Sequence, residues 1–577
     1  MSTLFEAMHE GDDAVVRVLR SGVSPETDDE GETALYRAAV ANEPGIVRLL
    51  LAAGADPGRG SGEEAGDLPL CGAACGGHAD VVRALLAGGA RADQAEAYGF
   101  TALDWAVRLG HAETVRVLLE HGAAPSRPGP DGLPPLVAAA RRGSAASVRA
   151  LLEYGAGPAE DALREARRWV GVDIAGELRR GLLDPGRPEG AEETVVRRVR
   201  EDGGVTVVVD VLRADGAPSR GNEQQTGHAA IATLLERALG VRVSPEELAT
   251  RALNCADPEL DDWQEAVRAL ADRDDEETFR VAAGWCASGG PLRAALGARV
   301  LGDLDRFTPQ AVPVLRRLAA EAAAQTAMAA EAGTAAGTRT EAGTGTAAGT
   351  RTAAGTGTAA GTGTAAGTRT AAEAGTAAEV ARARAETEAA KAAAWPATVA
   401  DSGPGEAPGT APGAAREPAL SAVVALGRCG DTQALPELLA LASHPDVEVR
   451  RALGCALTGP VPAGRPEAVA TLIALSRDHD HGVRDWATLA LAEVPEDTPV
   501  LREALVARLA DDDEDTVAEA ARGLAMRQDP RAVEVLARLL ADGDPEGTAR
   551  DTALAAVEYV ADPRARTRLE WTTPRCR

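Results

Sequence analysis

Two ladders of recurring residues, both stepping by about 33 positions, constrain the fold of this chain more than any other feature. Leu4, Leu35, Leu70, Leu103 and Leu136 recur at intervals of 31, 35, 33 and 33. An independent set, Gly54-Ala55, Gly89-Ala90, Gly122-Ala123 and Gly155-Ala156, recurs at 35, 33 and 33. Both share a two-residue excess, which places the extra residues in a connecting loop between Gly58 and Asp67. Repetition at this period means one supersecondary unit stacked on copies of itself, each burying the face its neighbour leaves open. Composition agrees: 45% of residues are hydrophobic but only 3% aromatic, so the interior is built from Ala, Leu and Val, which suit closely stacked helices. At 577 residues the chain is too long for one ordinary core.

Each unit has the same internal order. A first short helix is expected in Thr33–Ala39, Leu68–Ala74 and Thr101–Val107. Its Thr serves as cap, or Pro69 occupies the first turn, where no N–H is missed. A second helix follows in Val47–Leu51, Val82–Leu86, Val115–Leu119 and Val148–Leu152. It ends at a glycine suited to a left-handed carboxyl cap. With the turns Gly77-His78 and Gly110-His111, residues 1–157 resemble the ankyrin-repeat family, in about five units. The family's signature His is replaced by Tyr36, Cys71, Asp104 and Val137.

The next segment, 158–257, reads as a helical pair (Asp161–Val170 and Ile174–Leu182) that caps the stack, followed by a connector. Within it Thr194–Val199 and Val205–Val211 flank Glu201-Asp-Gly-Gly204, a β-hairpin signature. Helical pattern returns after Gly221, with Ser244-Pro-Glu-Glu247 as a helix start.

A second array follows at 258–323 and 416–577. Acidic turns precede helices at Val449, Val483 and Val517, spaced 34 and 34, with partner helices in Ala434–Leu441, Pro466–Leu475, Val500–Leu509 and Ala532–Leu540. These units resemble short HEAT-like repeats, including those named for phycobilin lyases. Between the two parts, residues 335–370 are six near-identical hexapeptides of the type AAGTRT without one large apolar side chain. Nothing there offsets the entropy of ordering, so a disordered insert is expected over 324–415. Lodged in an inter-repeat loop it costs little, about 0.6 kcal/mol per doubling of loop length. The expected fold is therefore mainly α: two helical-repeat solenoids, a small hairpin-containing connector and a disordered insert.

The net charge of −28 argues against nucleic acid or an anionic membrane as partner. No apolar run approaches a membrane span, and the acidic amino terminus lacks the pattern of an export signal. Seven scattered cysteines without a C-x-x-C pair suit a reduced, cytoplasmic chain. Lys391, in an Ala-rich stretch, is the only lysine, which excludes a phosphate-binding P-loop and Schiff-base catalysis. Arg in place of Lys, with so much Ala and Gly, points to a GC-rich bacterial genome.

Possible chemistry is sparse. Cys71, Cys75 and His78 have metal-ligand types, but the ankyrin register gives each a structural place. Asp478–His481 and Asp511–Asp515 fall in acidic turns that complement helix amino termini. Gln224–His228 and Trp285-Cys286 are the remaining places for a base or nucleophile, without a supporting signature. No metal, cofactor or catalytic residue is expected. The ankyrin resemblance instead implies that partners contact hairpin tips and exposed ends of the first helices. Those positions are Asp29, Glu30 and Glu32, then Tyr98 and Phe100, then Asp131 and Leu133, with Arg108, Leu109, Arg141 and Arg142 on the helices. Tyr98 and Phe100 are expected on one side of a hairpin tip, rimmed by Asp93 and Glu96. The expected function is a protein-binding scaffold or adaptor with one or more protein partners. The alternatives are a lyase-type enzyme handling a cofactor and the regulatory subunit of a separately encoded enzyme.

Overall fold

The computed structural model describes residues 4–62, 66–182, 193–213, 216–287, 290–340, 416–459, 461, 464–544 and 547–572. The chain divides into two compact units, Met1–Thr326 with Ala415–Arg577, and Ala327–Ala414. Of the second unit the described residues are 327–340, which are helical.

The amino-terminal repeats form as their caps dictate. The Thr33 hydroxyl accepts the Tyr36 N–H at 3.2 Å. Thr101 and Asp104 close a reciprocal capping box, with 3.3 Å from the Asp104 N–H to the hydroxyl and 2.8 Å from the Thr101 N–H to the carboxylate. Asp104, standing where the signature His is expected, thus ties its own helix start. The ladder glycines 54, 89, 122 and 155 all lie at positive φ, between 72° and 99°, and Gly22 at 95° is a further rung before them. His78 Nε2 reaches the Val40 carbonyl at 3.1 Å and His111 Nε2 the Cys75 carbonyl at 3.0 Å, so each turn histidine joins its repeat to the one before.

One row of helices runs through the whole first unit. Its members are α1 (Leu4–Glu10), α2 (Ala34–Val40), α3 (Pro69–Cys75), α4 (Ala102–Leu109), α5 (Pro135–Arg142), α6 (Ala159–Trp169), α7 (His228–Ala238), α8 (Asp261–Ala271), α9 (Pro291–Gly302), α10 (Glu417–Cys429), α11 (Val447–Ala456), α12 (His481–Glu493), α13 (Glu514–Met526) and α14 (Thr548–Ala556). Each packs on the next, α6 on α7 and α9 on α10 included. The row therefore passes through the segment expected as a cap, because α6 leaves an apolar face that α7 covers with Ile231 and Leu235. A salt-bridged junction ties the fifth repeat and α6 to α7, α8 and the helix Pro245–Cys255. Arg149 donates to Asp261 at 3.1 Å and to the buried Glu265 at 3.2 Å. Buried Arg251 and Glu236 pair at 2.6 Å, and Arg167 joins Glu236 at 2.7 Å.

The connector holds three strands, not the expected two. β1 (Thr194–Glu201) and β2 (Gly204–Leu212) form the expected hairpin, and β3 (Pro218–Gln225) adds to β2, giving the antiparallel order β1-β2-β3. β3 was illegible in the sequence because Pro-Ser-Arg-Gly-Asn-Glu-Gln-Gln carries no apolar alternation; pairing to β2 recruits it. Val207 and Val209 of β2 pack on Ile174 and Leu178 of the helix Ile174–Leu182.

In the second array Asp446, Asp480 and Asp513 cap α11, α12 and α13, so these helices start two to three residues before Val449, Val483 and Val517. Arg450 clasps Asp478 at 2.8 Å and Arg484 clasps Asp511 at 2.8 Å, two rungs of one ladder between repeats. Glycines let the row close up: a Cβ on Gly302, Gly427 or Gly523 would lie 2.7, 2.7 and 2.8 Å from the Cβ of Ala425, Ala456 and Ala492. The expected partner helix at Ala434–Leu441 is reduced to a 3-10 turn and Leu435–Leu439.

The helix Thr308–Thr340 carries the chain past residue 324, where the insert was expected to begin. As far as residue 332 its Ala-rich sequence has high intrinsic helix propensity; residues 333–340, with two Gly and three Thr, do not, and nothing in the structure explains the helix there. The rest of the insert, from 341 to 415 with five of the six hexapeptides, lies outside the described residues.

Candidate protein-binding surface

The hairpin tips project from the starts of α2, α4 and α5. At the first, Glu30 and Gly31 both take positive φ, 51° and 86°, making a tight turn between paired Asp29 and Glu32. Asp29, Glu30 and Gly31 are exposed, and Arg37 of α2 folds back to Glu32 at 2.7 Å and Asp29 at 3.3 Å. That leaves Glu30 as the carboxylate of the tip most open to solvent. Its neighbours are half neutralised, each such exposed pair contributing at most about 1 kcal/mol.

At the next tip the structure separates the two aromatics. The Gly99 N–H bonds to the Glu96 carbonyl at 2.9 Å, and Gly99 sits at φ 83°. The chain there is a turn and not extended strand, so the alternation that would place Tyr98 and Phe100 on one side does not apply. Tyr98 is 75% exposed. Phe100 instead turns back onto Trp105 of α4, ring centroids 4.9 Å apart, under the Arg108 guanidinium, also 4.9 Å from the ring. Trp105 donates its indole N–H to Glu96 at 2.7 Å. Burial raises the Glu96 carboxyl from its ordinary value, with that hydrogen bond working against the shift. The expected rim is thus used internally: Glu96 holds Trp105, and Asp93 accepts the Ala124 N–H at 2.9 Å.

Arg108 reaches on to Asp131 at the third tip, where Gly132 has φ 77°. Burial pushes the Asp131 carboxyl upward, but the Leu133 N–H and Arg108 outweigh it and hold it below the usual range. Phe100, Trp105, Arg108 and Asp131 therefore form one braced patch across two repeats, with Leu109 half-buried beside it. Leu133 packs against the core and is not available as an anchor.

Arg141 and Arg142 belong elsewhere. Arg142 is buried and donates to the Glu223 carbonyl at 2.8 Å and its carboxylate at 2.5 Å; Arg141 donates to Glu165 at 2.9 Å. Arg142 is spent on seating β3, whereas Arg141 pairs with Glu165 of α6 and keeps about half of its side chain exposed. Trp105 and Arg37 were missed as parts of this surface. The nine-residue spacing of Glu96 and Trp105, one hairpin arm plus the cap, was the available signal.

The residues considered for chemistry are dispersed or engaged. The buried Cys71 thiol points to the Phe100 carbonyl at 3.9 Å while His78 bonds to Val40, so the two diverge. Burial raises the Cys71 thiol and pushes Cys286 up to about 12, the wrong direction for a nucleophile. Buried His228 stacks on Trp169 at 5.5 Å, and burial lowers it to about 4. Trp285 donates to Glu246 at 2.9 Å. Asp478, Asp480, Asp511 and Asp513 serve the arginines between repeats and the helix caps. Among the described residues no group of three or more His, Cys, Asp or Glu could hold a metal ion.

Comparison with protein families assigns both arrays. A family model of ankyrin repeats in three copies matches residues 58–128, and one of a single ankyrin repeat matches 30–60. A model of HEAT repeats matches 414–492 and 461–521. The chain carries ankyrin repeats over 30–128 and HEAT repeats over 414–521. No curated protein matches the chain. Repeats of both kinds generally serve as protein-interaction modules and are typically non-catalytic. Among the described residues no helix is long and apolar enough to cross a membrane.

Proposed function

We propose that this chain is a non-catalytic scaffold or adaptor of the cytoplasm that docks a protein partner on its ankyrin hairpin face. The observation that carries the reading is the division of labour at the tip before α4. Phe100, Trp105 and Arg108 brace the tip from within, and Tyr98, the most exposed large apolar side chain among the described residues, stands free on it. A rigidly presented aromatic is the usual energetic anchor of an interface, where truncation costs on the order of 2 kcal/mol or more. Asp131, paired with Arg108, lies on the tip that follows this anchor, and Glu30 lies two tips before the anchor. With a net charge of −28 the surface suits a protein partner and repels nucleic acid.

The test compares Tyr98→Ser with Phe100→Ser in the full chain, by capture from the native cell and by melting. Tyr98→Ser is expected to lose the captured partner at an unchanged melting temperature. Phe100→Ser is expected to lower the melting temperature, because it empties the seat under Arg108. Retention of the partner by Tyr98→Ser would end this assignment of the anchor.

A further inference from the structure

The connector sheet has one open edge. β2 lies between β1 and β3, and among the described residues nothing pairs with the outer side of β1 along Thr194–Glu201. Its register shows which backbone groups are free. Glu201 and Gly204 close a two-residue turn through Asp202 and Gly203, both at positive φ, so that pair exchanges hydrogen bonds. At the other end the Leu212 N–H donates to the Glu193 carbonyl at 2.9 Å, which puts the odd-numbered residues of β1 in the bonded positions. Thr194, Val196, Arg198 and Arg200 therefore aim their N–H and C=O groups away from β2, where no described residue accepts or donates to them, a ready template for another strand.

Side chains on this strand define what fits. Val195 and Val199 lie on one face at 38% and 45% exposure, an apolar pair wanting cover. Arg197 and Arg200 are held by Asp210 and Asp257, while Arg198 is exposed with no ion pair among the described residues. A second copy of the chain is a poor occupant. Antiparallel self-pairing centred on the strand would set Arg197 or Arg198 opposite its own copy, and like charges directly opposed are destabilising. We infer that the β1 edge accepts an extended acidic segment of a partner protein by strand addition. Main-chain bonds would run to residues 194–200, with apolar side chains opposite Val195 and Val199 and carboxylates opposite the arginines. This site is separate from the ankyrin tips and does not depend on the role proposed for Tyr98.

The probe is a labelled peptide Glu-Val-Glu-Glu-Val-Val-Thr, which places these partners in antiparallel register with Arg200 to Thr194, titrated against the full chain by fluorescence anisotropy. Saturable binding is expected. An analogue N-methylated at alternate residues is expected to bind about tenfold or more weakly, since each lost edge hydrogen bond counts. Arg198→Pro removes one outward N–H without touching a bond to β2 and is expected to weaken the peptide about tenfold at an unchanged melting curve. Should that variant unfold, Arg198→Glu replaces it, with the same loss expected. Tyr98→Ser is expected to leave peptide binding unchanged. Absence of saturable binding, or indifference to N-methylation or to the Arg198 variants, would overturn the inference. Equal affinity for a single-stranded oligonucleotide would do so too, since it would reduce the site to bare charge.

Discussion

Replacing Gly427 with Ala tests how the row of helices is held together. In an open helix this exchange is favourable by about 1 kcal/mol, because Ala loses less backbone entropy than Gly. At Gly427 the new methyl would lie 2.7 Å from the Cβ of Ala456 and 2.9 Å from its Cα. Carbon atoms rest at roughly 3.5–4.0 Å, so α10 and α11 must separate by most of an ångström, and a backbone atom cannot swing aside. Overpacking of this kind costs about 1–3 kcal/mol, leaving a net loss of about 1 kcal/mol. Gly284, in the helix Glu276–Ala287, is the internal control, for a Cβ there meets nothing within 4 Å. Gly284→Ala should stabilise by about 1 kcal/mol, so the two variants should differ by about 2 kcal/mol in opposite directions. Melting of a repeat array is not two-state, so the sharper assay is hydrogen exchange of the amides in each helix. Faster exchange is expected in α10 and α11 of Gly427→Ala and slower exchange around residue 284 of Gly284→Ala, with local opening constants about thirtyfold apart. If Gly427→Ala protects its helix as Gly284→Ala does, the glycine-to-alanine contacts are not what sets the spacing of the row.

Other variants probe the junction and the caps. Burial holds His228 at about 4 against an ordinary 6.5, so the unfolded chain takes up a proton before the folded one does. The stability this neutral ring protects is present above pH 6.5 and lost as pH falls toward 4, about 3 kcal/mol in all. His228→Phe should accordingly flatten the acid-induced rise in exchange over residues 141–145 and 224–230, and an unchanged pH profile would refute the assignment. Glu236→Leu leaves buried Arg251 with only the exposed Glu247 and the Thr233 hydroxyl as partners and should cost about 3 kcal/mol, whereas the double variant with Arg251→Met should recover much of it, measured by melting. Asp513→Ala removes the cap of α13 and should lower stability by about 1 kcal/mol, seen as faster exchange in its first turn.

Periodicity carried most of what the sequence could show. The Leu and Gly-Ala ladders located the ankyrin helix pairs from the second unit on but not the helix Asp12–Arg20 of the first, and the acidic turns located three HEAT helices, because caps and apolar spacing are local properties. β3 was hidden because its eight polar residues become a strand only through β2, a tertiary cause with no local trace. The start of the insert expected at 324–415 was read from burial alone, which overlooked that the Ala-rich residues up to 332 extend a helix already begun. At the candidate surface the tips were legible, but which side chains stay free was not. Phe100 is committed by Trp105 and Arg108, and Arg142 by a strand 81 residues later in the chain, and neither partnership shows in spacing.

Hydrogen exchange of the full chain with and without its co-purified partner addresses the scaffold reading most directly. The account predicts protection at the tips, residues 28–33, 96–101 and 129–133, with that protection lost in Tyr98→Ser while the helices exchange as before. Protection confined to the HEAT helices, or tip protection that survives Tyr98→Ser, would contradict it.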